Sequence, residues 1–191
     1  SYVASIKNAA ISVCGNSLTD VPTCQSLRSA VLSLSGTSLR VPEANATGVR
    51  TFLIGGYTVV KESADGKECL LVFDHGPLGY LGIAAHGHAD ALAIWAHYDG
   101  RPVLVDAGTY LYHSGGKWRE FFRGTVAHST VALNNSDQSV QSGHFNWSSK
   151  AKVQLVSSRQ GLDGFFSEAE HDGYEERLGV RHKRSIERLA P

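Results

Sequence analysis

The sequence predicts a mainly β fold, either an antiparallel β-sandwich or a set of large antiparallel sheets, preceded by a short helical stub. From about Val49 onward, short β-branched and aromatic runs alternate with turn signals at intervals typical of sandwiches. Two of these signals, residues 64–67 (ADGK) and Asp99-Gly100, each separate two such runs and predict hairpins. Residues 22–34 differ, because their apolar residues recur at near-helical spacing after a proline.

The individual elements follow from these patterns. The predicted strands are residues 57–62, 68–74, 91–98, 101–106, 125–133, 151–157, 164–170 and 178–187. We divide the chain into a helical or loop stub or linker at 1–40 and an antiparallel β domain at 41–191. The last stretch begins a further hairpin and then stops, and the chain has no Met, so we expect a trimmed piece that is truncated at its C-terminus.

Composition excludes several classes of protein. Eighteen basic residues balance eighteen acidic ones, so no global field favours nucleic acid or an anionic membrane surface. No run approaches the roughly 20 apolar residues that span a bilayer, and no export signal is present. Cys14 and Cys24 are either bridged or free, and with Cys69 they are too few for a disulfide framework. A local cluster of arginine and histidine still permits an acidic sugar as partner.

Histidine is the unusual feature of the composition, with seven of the nine lying between His75 and His144. His86 and His88 form an H-x-H pair, Asp106 ends an apolar run, and His128 interrupts a β-branched run. Imidazole and carboxylate are ligands that zinc prefers, and a buried carboxylate needs a cation or donors. A cupin also begins with H-x-H, but residues 91–96 lack the glutamate that a cupin requires.

Strand geometry restricts this candidate site. If Asp99-Gly100 is a two-residue turn, Asp106 lies opposite Ala93, which is five residues from His88, or about 16 Å of extended strand. The three side chains meet only if the segment from His86 onward folds back. Spacing alone therefore leaves the site open.

Several blocks occur in an order that resembles the heparinase II/III-like polysaccharide lyases, which include oligoalginate lyases. The blocks are residues 87–92 (GHADAL), 100–110 (GRPVLVDAGTY), 118–123 (WREFFR), 127–131 (AHSTV), 137–138 (DQ), 171–174 (HDGY) and 182–184 (HKR). The chain departs from many relatives at Ala107, where they have Pro, and at Ser129, where they have Asn. The resemblance covers about residues 50–188.

This resemblance implies a zinc site formed by His88, Asp106 and His128, with His86 facing the active site. Because β-elimination needs no metal-bound hydroxide, we expect the zinc to be structural. In such lyases a helical toroid precedes the antiparallel β domain, and the acidic polysaccharide or oligosaccharide lies between the two. The toroid supplies a catalytic tyrosine and an accompanying Asn or His, and it is missing from this chain. The resemblance also implies a periplasmic or secreted location.

The remaining residues receive roles from the needs of β-elimination, in which a uronate loses its C5 proton while its carboxylate is neutralised. His86 is the predicted base or neutralising group, with support of the metal as the alternative. Asp90 is predicted to orient His88. The predicted substrate-binding residues, each with surface ion pairing or packing as the alternative, are Arg119, Arg123, Tyr110 and Tyr112.

The function that the sequence favours is therefore a zinc-bearing β domain of a lyase that cleaves uronic-acid-containing polysaccharide. The alternative is a carbohydrate-binding or structural module that carries a structural zinc and has no catalytic activity.

Overall fold

The computed structural model describes residues 47–79, 82–112, 114–161 and 164–189. The stub predicted at 1–40, with its helix at 22–34 and both N-terminal cysteines, lies outside this part of the chain. The domain boundary stays a prediction.

Two antiparallel sheets and a small hairpin make up the described chain. The first sheet has the order β1-β2-β3-β4-β5, with β1 (Gly48–Phe52), β2 (Tyr57–Ala64), β3 (Lys67–Asp74), β4 (Ile94–Tyr98) and β5 (Arg101–Leu104). The second has the order β10-β9-β8, with β8 (Val153–Gly161), β9 (Gly164–His171) and β10 (His182–Leu189). The two-stranded hairpin consists of β6 (Val140–Gly143) and β7 (Asn146–Ser149). Two short helices, α1 (Lys117–Arg123) and α2 (Glu175–Leu178), lie between strands.

The core forms where the two larger sheets face each other. Phe73 on β3, Leu92 in the β3–β4 loop and Ala169 on β9 are fully buried in one cluster. Half-buried residues of both sheets pack against it, namely Leu71, Ile94, Val153, Leu155 and Ile186. Burial of a large apolar side chain stabilises a fold by about 2 kcal/mol, so this contact is a main link between the sheets. The predicted fold class, mainly β with antiparallel sheets, is confirmed. Among the described helices, none has the length and apolar character required to cross a bilayer.

Both predicted hairpins are present, because their turns are encoded locally. Asp65 and Gly66 have φ values of 51° and 73°, and Asp99 and Gly100 have φ values of 50° and 70°. Two consecutive residues with positive φ match the twist of a two-residue hairpin, and Asp-Gly adopts them readily. A bulge between Ala96 and His97 shifts the register of the second hairpin, and β5 ends at Leu104, two residues before Asp106.

One predicted strand is wrong. Residues 125–133 do not form a strand: they begin with a 3-10 turn at Thr125–Ala127 and continue irregularly. The backbone N–H of Thr125 donates to Asp137 Oδ1 at 2.7 Å, and the Thr125 hydroxyl accepts the N–H of Gln138 at 2.9 Å. Side chains thus satisfy backbone groups that a strand ladder would otherwise pair.

Smaller corrections concern the ends of two other predicted strands. Residues 91–93 form a turn before β4, with Leu92 at a φ of 60° and the N–H of Ala93 donating to Asp90 O. Residues 178–181 precede β10, because Leu178 ends α2 and Gly179 caps it. Strands β1, β6 and β7 and helices α1 and α2 were not among the predicted elements.

Gly56 determines how the β1–β2 turn meets the end of β3. It has a φ of 72°, and a Cβ there would lie 2.0 Å from Gly76 Cα and 2.5 Å from Gly76 N. We expect Gly56→Ala to reduce the free energy of unfolding by about 3 kcal/mol, because overpacking adds to the cost of a strained φ. Gly66→Ala is the matched control: Gly66 has a φ of 73° but nothing within 4 Å. Denaturant unfolding of both variants measures the difference, and equal losses would contradict this account.

Candidate metal centre and adjoining cavity

Four of the predicted site residues come from three segments that meet at one end of the first sheet. His88 and Asp90 lie in the loop between β3 and β4, which we call the metal loop (residues 86–91). Asp106 follows β5, and His128 follows the 3-10 turn. The metal loop folds back as the hairpin geometry requires, so the sequence spacing does not keep these residues apart.

A compact group of possible ligands results. His88, Asp90 and His128 each offer one ligand atom, and these atoms lie within 4.8 Å of one another. The rings of His88 and His128 have centroids 5.1 Å apart. Asp106 Oδ2 is hydrogen-bonded to His128 Nδ1, and Asp106 Oδ1 accepts a hydrogen bond from the N–H of Gly108 at 2.8 Å.

The group fits a bound cation by one further observation. The Nε2 atom of His128 is buried, and no hydrogen-bond partner for it exists among the described residues. A buried polar atom without a partner is costly, and a metal ion would satisfy it. Asp90 lies within the compact group, although the sequence predicted an orienting part for it. Asp106, predicted as a ligand, stands where a carboxylate would orient a metal-bound imidazole.

The pKa shifts in this group differ in sign, and those of His88 and Asp106 favour the side-chain forms that suit a cation. Burial, followed by the proximity of His128, lowers the pKa of His88 to about 4, so its imidazole is neutral near pH 7. Burial raises the pKa of Asp90 to about 6. Burial lowers the pKa of His128, but the hydrogen bond to Asp106 and the charge of Asp90 outweigh it, so the net change is upward. That same hydrogen bond lowers the pKa of Asp106. A neutral imidazole beside two carboxyl groups, one half-buried (Asp90) and one exposed (Asp106), can take part in a cation site.

A cavity of about 390 Å³ adjoins the group. His86, His88 and Asp90 line one side of it, and Tyr57 and Asp74 line another. His86 is exposed and stacks on Tyr112, with centroids 5.5 Å apart and planes 24° apart. The predicted active-site histidine therefore opens into a space that a sugar ring could enter.

Tyr57 and Asp74 are the cavity residues that sequence reasoning missed. They are register partners at the open end of the β2–β3 hairpin. A two-residue turn at Asp65-Gly66 requires that pairing, so the hairpin signal could have identified them. Burial, followed by the charge of Asp90, raises the pKa of Asp74 to about 7, and the charge of Asp74 is the main cause of a raised pKa at Tyr57. The Tyr57 phenol is therefore protonated near neutral pH.

The two predicted arginines are buried rather than exposed at the surface. Arg119 is 2% exposed and Arg123 is 0% exposed, so the alternative of surface ion pairing does not hold. Their guanidinium groups donate to backbone carbonyls, and both reach His144 O, at 3.0 Å from Arg119 and 2.7 Å from Arg123. Arg119 also donates to Thr109 Oγ1 and Leu111 O.

Neither arginine has an acidic partner among the ion pairs of the described chain. Arg119 Nε and Arg123 Nη2 are buried without a hydrogen-bond partner in the same region. Burial, followed by the charge of Arg119, lowers the pKa of Arg123. Two adjacent positive charges therefore lie near the metal loop, where Arg123 Nε donates to Gly87 O, and most of their hydrogen bonds go to backbone carbonyls.

The two predicted tyrosines separate. Tyr112 lies beside His86 and contacts Phe145, with centroids 5.4 Å apart. Tyr110 turns the other way and stacks on Phe122 of α1, with centroids 5.6 Å apart. Of these two tyrosines, only Tyr112 lies next to His86 of the cavity. The two predicted substrate-binding tyrosines therefore do not form one binding surface.

A family model and several solved structures are similar to this chain. The matching family is described as Heparinase II/III-like, C-terminal, and the match covers residues 44–190. No curated protein sequence matches the chain.

Similar solved structures include the heparan sulfate lyase HepC from Pedobacter heparinus and a mutant of it. Each has a TM-score of 0.59 and 19% identity, covering 84% of this chain and 23% of that chain. Heparinase III, the BT4657 gene product, has a TM-score of 0.59 and 20% identity, covering 83% of this chain and 22% of that chain. At this identity the likeness concerns the fold, and the present chain spans less than a quarter of each structure.

Proposed function

The chain belongs to the heparinase II/III-like family, and we propose that it is the zinc-bearing β domain of a lyase that cleaves uronic-acid-containing polysaccharide by β-elimination. The observation that carries the proposal is the cavity beside the metal group, in which His86 is exposed next to His88 and Asp90. Histidine changes charge near neutral pH, which suits proton transfer or neutralisation of a carboxylate. We also propose a periplasmic or secreted location.

Charge supports an acidic sugar as the ligand of this cavity. The guanidinium groups of Arg119 and Arg123 lie on the metal-loop side, close enough to lower the pKa of His88. A positive field in a partly enclosed cleft concentrates anions and strengthens their binding. A neutral sugar would gain much less from this field than a uronate.

Residues of this chain can take part in several steps of the elimination. A base removes the C5 proton, its electron pair forms the C4–C5 double bond, and the bond from C4 to the glycosidic oxygen breaks as an acid protonates that oxygen. His86 is placed to accept the C5 proton or to pair with the carboxylate, and Tyr112 beneath its ring holds it in position. Tyr57, protonated near neutral pH, can donate a hydrogen bond to a sugar oxygen in the same cavity.

Zinc would be held by His88 and His128 with a carboxylate from Asp90 or Asp106, and it would stabilise the three segments that form this end of the sheet. We assign it a structural part because the elimination requires no metal-bound hydroxide. His86 lies two residues before the ligand His88, so its orientation then depends on the fold of the metal loop.

We expect the 191-residue chain to bind uronate polymers weakly and not to cleave them. The acid and the opposite wall of the cleft come, in this proposal, from a helical toroid outside this sequence. Holding all groups in reach of the substrate contributes several kcal/mol to catalysis, and one wall alone forfeits most of that. The test incubates the zinc-loaded chain, and a longer natural protein that contains it, with alginate and heparan sulfate, and follows the ultraviolet absorbance of the unsaturated product. Comparable turnover by both would show that the β domain carries its own acid.

The same assay tests the alternative of a carbohydrate-binding or structural module. Cleavage by the longer protein, abolished in its His86→Ala variant, supports the lyase. Saturable binding of uronate polymer without cleavage by either protein would support the binding module instead. The short coverage of the solved structures, 23% of their length, is the reason to keep this alternative.

A further inference from the structure

We propose that Gln138 is a positioning residue for the metal group, acting through the two carbonyls that flank Asp90. This inference rests on the proposed zinc site and extends it to a side chain whose hydrogen bonds go to backbone carbonyls of the metal loop. Gln138 precedes β6 and is fully buried. Its amide Nε2 donates to Ala89 O at 2.7 Å and to Ala91 O at 3.3 Å.

The hydrogen-bond partners fix the orientation of this amide. Carbonyl oxygens only accept, so the NH₂ group of Gln138 must point toward the metal loop. The backbone of Gln138 is fixed as well, because its N–H donates to Thr125 Oγ1 at 2.9 Å. The rest of the side chain is enclosed, and its Oε1 atom is buried without a partner in the described structure. A fixed donor pair is therefore aimed at one short segment.

That segment decides where His88 and Asp90 point. The N–H of Ala89 donates to Arg123 O at 2.8 Å, and its carbonyl accepts from Gln138. Both peptide groups around Ala89 are thus held from outside, and the residue is fully buried. One peptide unit follows His88 and the other precedes Asp90, so their rotation would redirect both side chains.

The two carbonyls depend on Gln138 to different degrees. Ala91 O also accepts the hydroxyl of Thr130 at 2.7 Å, and so it keeps a donor if the glutamine is lost. Gln138 is the donor that the described structure gives to Ala89 O. Loss of the amide would leave this carbonyl buried and unpaired next to Asp90, and rotation of the peptide would relieve it.

The variant Gln138→Met tests the inference, since methionine fills a similar space and has no donor. We expect the dissociation constant for zinc, measured by competition with a chromophoric chelator at neutral pH, to rise 10- to 100-fold, about the range for loss of an outer partner of a metal ligand. Gln138→Asn, which keeps the amide but falls short of the loop, should give a smaller rise. It also tests the inference if the methionine variant does not fold.

Tyr174→Phe is the matched control. Tyr174 is also fully buried, and its hydroxyl donates to Val131 O at 2.7 Å and hydrogen-bonds with Thr125, neither of which belongs to the metal loop. We expect its melting temperature to fall while its zinc affinity stays within about twofold of wild type. The positioning role would be overturned if folded Gln138→Met and Gln138→Asn bind zinc as tightly as wild type. It would also be overturned if Tyr174→Phe loses as much zinc affinity as the Gln138 variants. A wild-type chain that binds no zinc would overturn the proposed metal site and this inference with it.

Discussion

Replacing His88 by alanine is expected to abolish stoichiometric zinc binding and to lower the melting temperature of the chain by about 10 °C. Metal binding that occurs only in the folded state adds its free energy to folding, so losing a ligand removes that contribution. For a domain of this size, 1 kcal/mol corresponds to roughly 2–4 °C, and the loss of several kcal/mol gives the expected shift. Elemental analysis and calorimetry with and without added zinc measure the two effects.

The neighbouring histidine provides the control for this prediction. His86 is exposed in the cavity and stacks on Tyr112, so His86→Ala should leave zinc content unchanged and shift the melting temperature only slightly. A chelator added to the wild-type chain should reproduce the low melting temperature of His88→Ala and have no further effect on that variant. Equal destabilisation by both substitutions would mean that His86 is a ligand or a packing residue.

The hairpins could be predicted from sequence because their information is local. Asp-Gly at 65–66 and at 99–100 fixes two backbone conformations with positive φ, and each turn then dictates the pairing of its own strands. The bulge at Ala96 and His97 could not be predicted in this way, since no residue type there requires it. It pairs Leu104 with Ala96 and so changes which residue of β4 lies opposite the end of β5.

Helix α1 was missed for a physical reason. Sequence patterns detect helices through an apolar face, but the buried face of α1 carries Arg119 and Arg123, four residues apart. Two of its three aromatic residues, Trp118 and Phe121, are exposed instead. The guanidinium groups replace apolar contacts with hydrogen bonds to carbonyls of distant loops, and those loops are visible only in the folded chain.

The candidate site shows the same division between local and distant information. The H-x-H pair and the β-branched run around His128 identified possible ligands, and the family resemblance supplied their grouping. The structure brings Asp90 into the compact group and adds Tyr57 and Asp74 to the cavity. The Asp65-Gly66 turn could have predicted the pairing of Tyr57 with Asp74. Their place beside Asp90 in the cavity depends on how the metal loop folds against the sheet, which no spacing rule in the sequence specifies.

The second large effect is expected in the second sheet, which acid should destabilise. His171 ends β9 and His182 begins β10, and the two are register partners. The N–H of Gly173 donates to His171 Nδ1 at 3.1 Å, and His171 Nε2 lies 3.0 Å from His182 Nδ1. Since a backbone N–H only donates, His171 must carry its proton on Nε2 and give it to an unprotonated His182 Nδ1. Both rings are therefore neutral.

The surroundings reinforce the neutral pair. Tyr174 packs on His171, Arg184 lies near both rings, and Asp172 is the acidic group that opposes these effects at His171. Burial, followed by the charge of His182, lowers the pKa of His171 to about 4. Burial, followed by the charge of Arg184, lowers the pKa of His182 to about 4 as well.

These shifts give the direction of the pH dependence. Between pH 4 and the ordinary histidine pKa of 6.5, the unfolded chain binds more protons than the folded one. Stability from the neutral pair is therefore complete above about pH 6.5 and is lost as the pH falls toward 4. One histidine shifted this far corresponds to about 3 kcal/mol. We expect the melting temperature to drop by about 10 °C over this range, measured with a chelator present so that loss of metal does not contribute.

A variant that removes one titrating ring separates this pair from the other acid-sensitive groups. In His182→Asn the side-chain oxygen can still accept from His171 Nε2 but does not take up a proton in this range. Its melting temperature should fall by about half as much as that of wild type between pH 6.5 and 4. His97→Asn, on β4 of the other sheet, is the control and should keep the full acid response. If the melting temperature of His182→Asn falls as far as that of wild type, the acid sensitivity arises elsewhere. The hydrogen bonds from Gly173 through His171 to His182 would then not govern the stability of this sheet.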